Sequence, residues 1–130
     1  MRVSPQDLFE GQNLMRGNIG AIGEQTAAVY FTANGCSVQA RNWRCRFGEL
    51  DLVVRAGEYL VFVEVKTRAK GAPVSGVEAV DLHKQEKLRK AAQMYLQQNP
   101  TALQPRFDVV VVEHDDRRNF RISDHITNAF

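Results

Sequence analysis

Residues 49–67 read ELDLVVRAGEYLVFVEVKT, and this stretch decides the fold. Two runs rich in Val, Leu and Phe, Glu49–Arg55 and Tyr59–Thr67, are separated by a short turn at Gly57 and Glu58. Such runs are typical of strands, and glycine at the first central position of a two-residue turn suits a type II′ hairpin. The stretch therefore predicts two antiparallel strands.

The register of this hairpin separates charged from apolar side chains. Asp51 lies opposite Glu64 and Glu49 lies opposite Lys66, and all four emerge on one face because side chains alternate along a strand. A slip by one residue would set charges opposite aliphatic side chains, so the pattern favours this pairing or one displaced by two residues. The predicted other face is apolar and consists of Leu50, Leu52, Val54, Val61, Val63 and Val65.

The charged face becomes apolar toward the turn, where it carries Val53, Leu60 and Phe62. If a helix covers this apolar part, the charged end borders a cleft. Two opposed carboxylates repel each other, whereas Mg²⁺ takes carboxylate oxygens, waters and phosphate oxygens as ligands. We therefore expect Asp51 and Glu64 to be ligands of a divalent cation.

Three further groups can contribute to such a site. The backbone carbonyl of Val65 lies on the strand of Glu64, and Lys66 follows on the same face, where its ammonium can orient a water or stabilise charge on a phosphate. Glu24 falls within the apolar stripe of the predicted first helix and completes the metal shell if that helix covers this face. Two alternatives remain open: a solvated strand face with a Glu49–Lys66 pair, and a boundary role for Glu24.

The remaining segments predict an α/β fold, in which helices flank a mixed sheet in the order α-β-β-β-α-β, with a further strand at the end. Two sequential strands followed by a helix and another strand require one crossover. Beside the hairpin, the predicted elements are a helix at Ile19–Asn34 between Asn18 and Gly35, a strand at Cys36–Trp43, a helix at Val77–Gln98 after a loop at 68–76, and strands at Phe107–Glu113 and Phe120–Ser123.

Length and composition limit the possible classes of protein. A chain of 130 residues with 44% apolar and 25% charged residues is typical of one globular domain. We expect a flexible N-terminal extension at residues 1–17 and a single domain at 18–130. The sequence has no apolar run long enough to span a membrane and no secretory signal, and Cys36 and Cys45 fit no zinc motif. These features predict a cytoplasmic protein with reduced thiols.

Basic residues are concentrated around the hairpin. The net charge is only +2, but residues 41–90 hold 11 of the 17 basic residues against 7 of the 15 acids. A nucleic-acid backbone can pass along them, although the lysine-rich helix can equally be a solvated face, and Trp43 and Tyr95 can stack on bases or pack in the core. The candidate contacts are Arg44, Arg46, Arg68, Lys70, Lys84, Lys87 and Lys90.

Four segments together resemble the bacterial YraN-type family of predicted endonucleases. They are GAIGEQTAA at 20–28, GELDLV at 48–53, VFVEVKTR at 61–68 and RFDVV at 106–110. That family is similar to archaeal Holliday-junction resolvases and belongs to the PD-(D/E)XK, restriction-endonuclease-like nucleases. The resemblance extends over roughly residues 16–125 and implies a restriction-endonuclease-like fold with Mg²⁺-dependent cleavage of phosphodiester bonds.

The resemblance also implies roles for individual residues. Asp51 takes the place of the first acid of the family signature, Glu64 and Lys66 form its E-x-K pair, and Glu24 takes the place of the helical acid. Leu50 stands where the signature has proline, which metal ligation does not require. Glu49 has no assigned role beyond a partner for Lys66.

The predicted activity is metal-assisted hydrolysis of DNA phosphodiester bonds. Mg²⁺ is the expected cofactor, with Mn²⁺ as a substitute, and the expected substrate is branched or junction DNA, since no residue pattern suggests reading of base edges. A homodimer would suit symmetrical cutting of a junction. The alternative is a non-catalytic nucleic-acid-binding or adaptor protein that retains the nuclease fold.

Overall fold

The computed structural model describes residues 18–72 and 80–130. These residues form helices and strands in the order α-β-β-β-α-β-β, which confirms the predicted mixed α/β fold. The predicted extension at 1–17 lies outside the described residues. The elements are α1 (Ile19–Ala33), β1 (Ser37–Cys45), β2 (Gly48–Ala56), β3 (Tyr59–Ala69), α2 (Leu82–Gln98), β4 (Gln104–His114) and β5 (Phe120–Ile126).

A single mixed sheet with the strand order β1-β2-β3-β4-β5 forms the centre of the described structure. β3 and β4 pair in parallel, and the neighbouring pairs β1–β2, β2–β3 and β4–β5 are antiparallel. A parallel pair needs a crossover connection, and α2 provides it between β3 and β4. Strand β4 is an apolar run buried from Val109 to Val112, as expected for a strand covered on both faces.

The hairpin of β2 and β3 has the predicted register. Ala56 pairs with Tyr59 and Leu52 pairs with Val63, with the intervening pairs in the same register. Gly57 has a φ of 62°, the left-handed conformation that glycine adopts without steric cost. The alternation that set this register therefore describes most of the hairpin correctly.

Two hydrophobic cores lie on opposite faces of the sheet, one under each helix. Helix α1 contributes Ala27, Ala28 and Phe31 to one core, and α2 contributes Leu88, Ala91, Ala92 and Tyr95 to the other. The second list contains the predicted stripe of that helix. On α1, the apolar stripe predicted from the sequence consists of Ala21, Ala28 and Phe31. This prediction is wrong at Ala21, which is exposed.

Close packing of α1 on the sheet depends on Gly23. A Cβ atom at this position would collide with the side chain of Thr67 on β3. The missing side chain lets the helix approach the strand, and it thereby brings the neighbouring Glu24 toward the charged end of the hairpin.

Several predicted boundaries differ from those of the structure. The second helix begins at Leu82 and not at Val77, because Asp81 has extended backbone angles and its side chain accepts a hydrogen bond from the Lys84 amide at 2.9 Å, the contact of an N-cap. Residues 77–79 of that prediction lie outside the described residues. Asn18 is the N-cap of α1 predicted from the sequence, but its side chain makes no capping hydrogen bond. Gly35, predicted to follow the end of this helix, has the left-handed conformation typical of that position. Each of the five described strands is longer than predicted.

The side-chain alternation of β2 is broken at Asp51. Leu52 packs in the core under α1, but Leu50 packs in the core under α2, so the predicted face containing both residues is wrong. On the neighbouring strand, Asn42 has a φ of 49° and lies between the pairs Arg41–Leu52 and Trp43–Leu50. A left-handed residue within a strand turns the following side chains to the other face, and this local reversal leaves Asp51 at the border of both faces.

A buried ionic network holds the last strand and the C-terminal residues against the sheet. Asp108 is fully buried and accepts hydrogen bonds from Arg106 Nε and Nη2, both at 2.9 Å, and from the Asn128 amide at 3.0 Å. His125 Nε2 lies 2.8 Å from the same carboxylate, and its Nδ1 lies 2.7 Å from the Tyr30 hydroxyl on α1. The network therefore ties α1, β4, β5 and the C-terminal residues together.

Neither helix of the described residues is both long and apolar enough to cross a membrane. The two cysteines are free and half-buried, as expected from the sequence.

Candidate active site

The candidate site lies where the pairing of β2 and β3 ends. Backbone pairing of the hairpin reaches Leu52 and Val63. Beyond this pair, the Val65 amide donates a hydrogen bond to Asp51 Oδ2 at 2.9 Å. The side chain of Asp51 thus receives a backbone donor of β3, which fixes this carboxylate at the end of the paired region.

Three carboxylates converge at this point. Glu24 on α1, Glu49 on β2 and Asp51 on β2 each present an oxygen atom, and these oxygens lie within 4.8 Å of one another. All three residues are half-buried. The sequence predicted that Glu24 and Asp51 would meet here, whereas Glu49 was assigned only a partner in Lys66.

Asn42 connects two of these acids, and sequence reasoning missed it. Its Nδ2 donates hydrogen bonds to Glu24 Oε1 at 2.7 Å and to Glu49 Oε2 at 3.1 Å. Arg44 adds a contact of 3.0 Å from its Nε to Glu49 Oε1. The available signal was weak, since asparagine is one of the few residues besides glycine that tolerate left-handed backbone angles.

Glu64 lies beside this group in a different setting. Its side chain is 6% exposed, and its Oε2 is 3.3 Å from Lys66 Nζ and 2.7 Å from Lys84 Nζ. The proposed Glu49–Lys66 pair is therefore wrong, because Lys66 pairs with Glu64 and Glu49 pairs with Arg44. The E-x-K residues are in direct contact, as expected for groups two positions apart on one strand face.

The environment of Asp51 disfavours its charged form. Burial, followed by the negative charge of Glu64, raises the pKa of Asp51 from 3.8 to about 8, although the hydrogen bond from the Val65 amide acts in the opposite direction. Glu24 and Glu49 add smaller effects of the same sign as burial. A carboxylate whose charged form is disfavoured by burial and by neighbouring acids is a candidate ligand for a cation.

Lys84 keeps its positive charge next to Glu64. Burial lowers the pKa of Lys84, but the hydrogen bond and charge of Glu64 outweigh it, so this pKa lies above its ordinary value of 10.5. Lys84 is thus fully protonated at neutral pH. The site combines a group of acids with a pair of ammonium groups, and the sequence predicted only Lys66 of this pair as part of the chemistry.

A cleft of about 310 Å³ opens onto these groups, at the lower end of the size of ligand pockets. It has room for an ion with its waters and a phosphate group. Its lining combines acids, lysines and the β1–β2 turn, and consists of Phe47, Gly48, Glu49, Asp51, Glu64, Lys84, Lys87 and Leu88. The predicted cleft at the margin of the covered face therefore exists, between β2, β3 and α2.

The predicted basic contacts fall into three groups. Lys84 and Lys87 line the cleft. At its rim, Arg46 lies 4.9 Å and Lys90 lies 5.8 Å from the centre of the Phe47 ring. The other three do not line the cleft: Arg44 pairs with Glu49, Arg68 pairs with Glu113 at 3.6 Å, and Lys70 is exposed in the turn after β3.

The aromatic residues named from the sequence face the core. Tyr95 is 7% exposed and makes an edge contact with half-buried Trp43, with ring centres 5.3 Å apart. The suggested stacking of Tyr95 on bases is therefore wrong. Phe47, between two cations at the rim of the cleft, is the aromatic residue next to the site, and sequence reasoning missed it.

The chain is similar to proteins of one widespread bacterial family. The model of the uncharacterised protein family UPF0102 matches residues 23–112, which include every residue of the site described above. A UPF0102 protein of Synechococcus sp. (strain JA-3-3Ab) is 43% identical over 120 residues, covering 87% of this chain and 91% of that protein. A UPF0102 protein of Caldanaerobacter subterraneus subsp. tengcongensis is 40% identical over 117 residues, covering 86% and 93%. A UPF0102 protein of Frankia casuarinae is 44% identical over 113 residues, covering 86% and 95%.

Proposed function

We propose that this chain, which belongs to the uncharacterised protein family UPF0102, also known as the YraN family, is a metal-dependent endonuclease that hydrolyses DNA phosphodiester bonds. The observation that carries the proposal is the convergence of Glu24, Glu49 and Asp51 beside a buried Glu64 that is paired with Lys66. Crowded carboxylates lower the stability of the fold that holds them, so a protein with a purely structural role would have no benefit from this arrangement.

The donor set fits Mg²⁺. Oxygen ligands from one or two carboxylates, completed by waters and phosphate oxygens, are what this cation prefers. Asp51 and Glu64 are the proposed principal ligands, with Glu24 and the Val65 carbonyl in support and Mn²⁺ as a substitute. Glu49 joins this set as a ligand or as the residue that keeps Asn42 and Arg44 in place.

The protein groups have separate tasks in the proposed reaction. A divalent cation supplies Lewis acidity toward the phosphate and makes a neighbouring water more acidic. Lys66 is held by Glu64, which lines the cleft, and its proposed task is to orient the attacking water and to stabilise negative charge on the phosphate. The Val65 amide holds Asp51 in place, so the site does not have to reorganise when the substrate enters. This set of groups requires no side-chain nucleophile.

Basic residues supply the proposed contact with the DNA backbone. Lys84 and Lys87 line the cleft, and Arg46 and Lys90 flank its rim. Arg44, Arg68 and Lys70 extend the basic surface on either side, although the acid partners of the two arginines reduce their net charge. Contacts of this kind bind phosphates and read no bases, which supports selection of branched or junction DNA by its shape.

Cleavage assays test the proposal directly. We expect the protein to cut branched, flapped or linear DNA with Mg²⁺ or Mn²⁺, with a preference for branched forms. Asp51→Ala and Lys66→Ala should lower the rate by at least about 100-fold, the size of effect typical of a catalytic charged group. Arg55→Ala, at the far end of β2, is the control variant and should cut as the wild type does. An inactive wild type, or equal rates in all variants, would remove the proposal.

The alternative is a non-catalytic nucleic-acid-binding or adaptor protein. Calorimetric titration with Mg²⁺ distinguishes the two, because a module without a metal site gives no binding heat that disappears on Asp51→Asn. A homodimer that cuts two strands of a junction symmetrically, and a cytoplasmic location, both stay predictions.

A further inference from the structure

Glu64 contacts two ammonium groups through a single oxygen atom. Its side chain is only 6% exposed, so its charge depends on partners supplied by the protein. Lys66, two residues along β3, supplies one of these ammonium groups at 3.3 Å. Lys84 adds a second ammonium to the same oxygen at the shorter distance of 2.7 Å. Lys66 and Lys84 therefore share one acceptor oxygen, and Lys84 is the closer of the two.

The two lysines differ in how they are presented to the cleft. The side chain of Lys66 is 22% exposed, whereas that of Lys84 is 43% exposed. Lys84 belongs to the first turn of α2, where its amide is capped by Asp81 at 2.9 Å, so its backbone is fixed while its long side chain can move. Lys66 is thus the more enclosed of the two, whereas Lys84 is the more exposed and lines the cleft.

We propose that Lys84 is a phosphate-binding residue of the cleft that exchanges partners: it pairs with Glu64 in the free protein and passes to the scissile phosphate when Glu64 turns to a divalent cation. The inference rests on the proposed function, because it uses the same cleft and the same acid. The anion that Lys84 binds after the exchange is a DNA phosphodiester. Because the cation releases Lys84 from Glu64, the affinity for the cation and the affinity for DNA depend on each other.

The exchange follows from competition for one oxygen atom. Glu64 Oε2 accepts Lys84 at a distance that leaves no space for a second cation between them. A divalent cation that binds this oxygen would repel both ammonium groups, and Lys84, which is the closer at 2.7 Å and more exposed than Lys66, is the one that leaves. The flexible side chain of Lys84 can carry its charge into the cleft. There the DNA phosphodiester replaces the Glu64 carboxylate as the anionic partner of Lys84, and no further charge is buried.

Removing the charge of Lys84 should therefore shift two affinities in opposite directions. Without the competing ammonium, Lys84→Met should bind Mn²⁺ more tightly than the wild type in the absence of DNA, by about three- to tenfold. A fluorescent four-way DNA junction, titrated with Ca²⁺ present because Ca²⁺ takes the same oxygen ligands, should bind about tenfold more weakly. In EDTA the same junction should bind almost equally to both proteins, because Lys84 is then paired with Glu64.

Two further variants separate charge from structure. Lys84→Arg keeps the charge and should retain the wild-type Mn²⁺ affinity more closely than Lys84→Met, and Lys84→Gln repeats the test if the methionine variant does not fold. Lys87→Met, on the same helix and the same cleft, is the matched control: it should weaken junction binding both in EDTA and in Ca²⁺, and leave Mn²⁺ affinity unchanged.

Specific results would overturn the inference. If Lys84→Met lowers the Mn²⁺ affinity, Lys84 only holds Glu64 in its conformation. If the variant leaves the Mn²⁺ affinity unchanged, Lys84 does not compete with the cation for Glu64. If junction binding in Ca²⁺ is as strong as in the wild type, Lys84 does not take the phosphate. A wild type whose Mn²⁺ binding is absent, or survives Asp51→Asn, instead contradicts the proposed metal site and removes both proposals together.

Discussion

Replacing Asp51 by asparagine should stabilise the metal-free protein at high pH. Asparagine has the same shape, and its Oδ1 can still accept the hydrogen bond from the Val65 amide. What the substitution removes is a negative charge that burial, and then the charges of Glu64, Glu24 and Glu49, disfavour; together they raise the pKa of Asp51 to about 8. Catalytic groups are commonly held at such a cost to stability.

The sign and size of the effect follow from proton linkage. The folded protein holds a proton on Asp51 up to about pH 8, whereas the unfolded chain releases it near its ordinary value of 3.8. Stability contributed by this proton is complete below pH 3.8 and is lost as the pH rises toward 8. At about 1.4 kcal/mol per unit of pKa, the limit for the full window is about 6 kcal/mol. Between about pH 5 and pH 9, with water and side chains adjusting to the charge, we expect the wild type to lose about 2–4 kcal/mol relative to Asp51→Asn.

Urea unfolding in EDTA at these two pH values measures the effect. Asp51→Asn should exceed the wild type in free energy of unfolding by at most about 1–2 kcal/mol near pH 5, and by about 2–4 kcal/mol more near pH 9. Asp116→Asn, at an exposed acid in the β4–β5 turn, is the control and should follow the wild type at both pH values. A difference between the wild type and Asp51→Asn that does not change with pH, or a variant that is less stable at pH 9, would refute the reasoning.

Substitutions of Gly23, Asn42 and Asp108 test how the fold positions the site. Gly23→Ala should lower the free energy of urea unfolding by about 1–3 kcal/mol, because the new Cβ meets Thr67. Gly20→Ala on the same helix has open space around it and should raise this free energy by about 0.5–1 kcal/mol. Asn42→Gly keeps the left-handed backbone but loses the bonds to Glu24 and Glu49, so calorimetry should find weaker Mn²⁺ binding at nearly unchanged stability, while Asn42→Ala should in addition lose about 1–2 kcal/mol. Asp108→Ala leaves the half-buried Arg106 without its partner and should cost about 3–5 kcal/mol on urea unfolding; a loss below about 1 kcal/mol would show that the network does not hold β5.

The sequence predicted the part of the site that depends on regular geometry. The hairpin register followed from strict alternation, and it correctly brought Asp51 close to the E-x-K residues on β3. The position of Glu24 followed from its place in a helical stripe, combined with a helix that covers this end of the sheet. Regular strands and helices have fixed periods, so their side-chain directions can be counted along the chain.

The missed features depend on departures from those periods and on tertiary contacts. The left-handed conformation of Asn42 reverses the alternation, which moves Leu50 to the opposite face and brings Glu49 to the other acids. No local pattern indicates such a residue within a strand. The pairing of Lys84 with Glu64 depends on where α2 begins and how it crosses the sheet, and neither is fixed by spacing along the chain.

The central claim is that this group of acids binds a divalent cation. A crystal structure of the protein soaked in Mn²⁺, with anomalous scattering to locate the ion, tests it most directly. The account predicts a peak in direct coordination with Asp51 and at least one of Glu24, Glu49 and Glu64, with Lys84 moved away from Glu64 if Glu64 is a ligand. A fully occupied ion elsewhere, or the absence of any peak at these carboxylates at millimolar Mn²⁺, would contradict it.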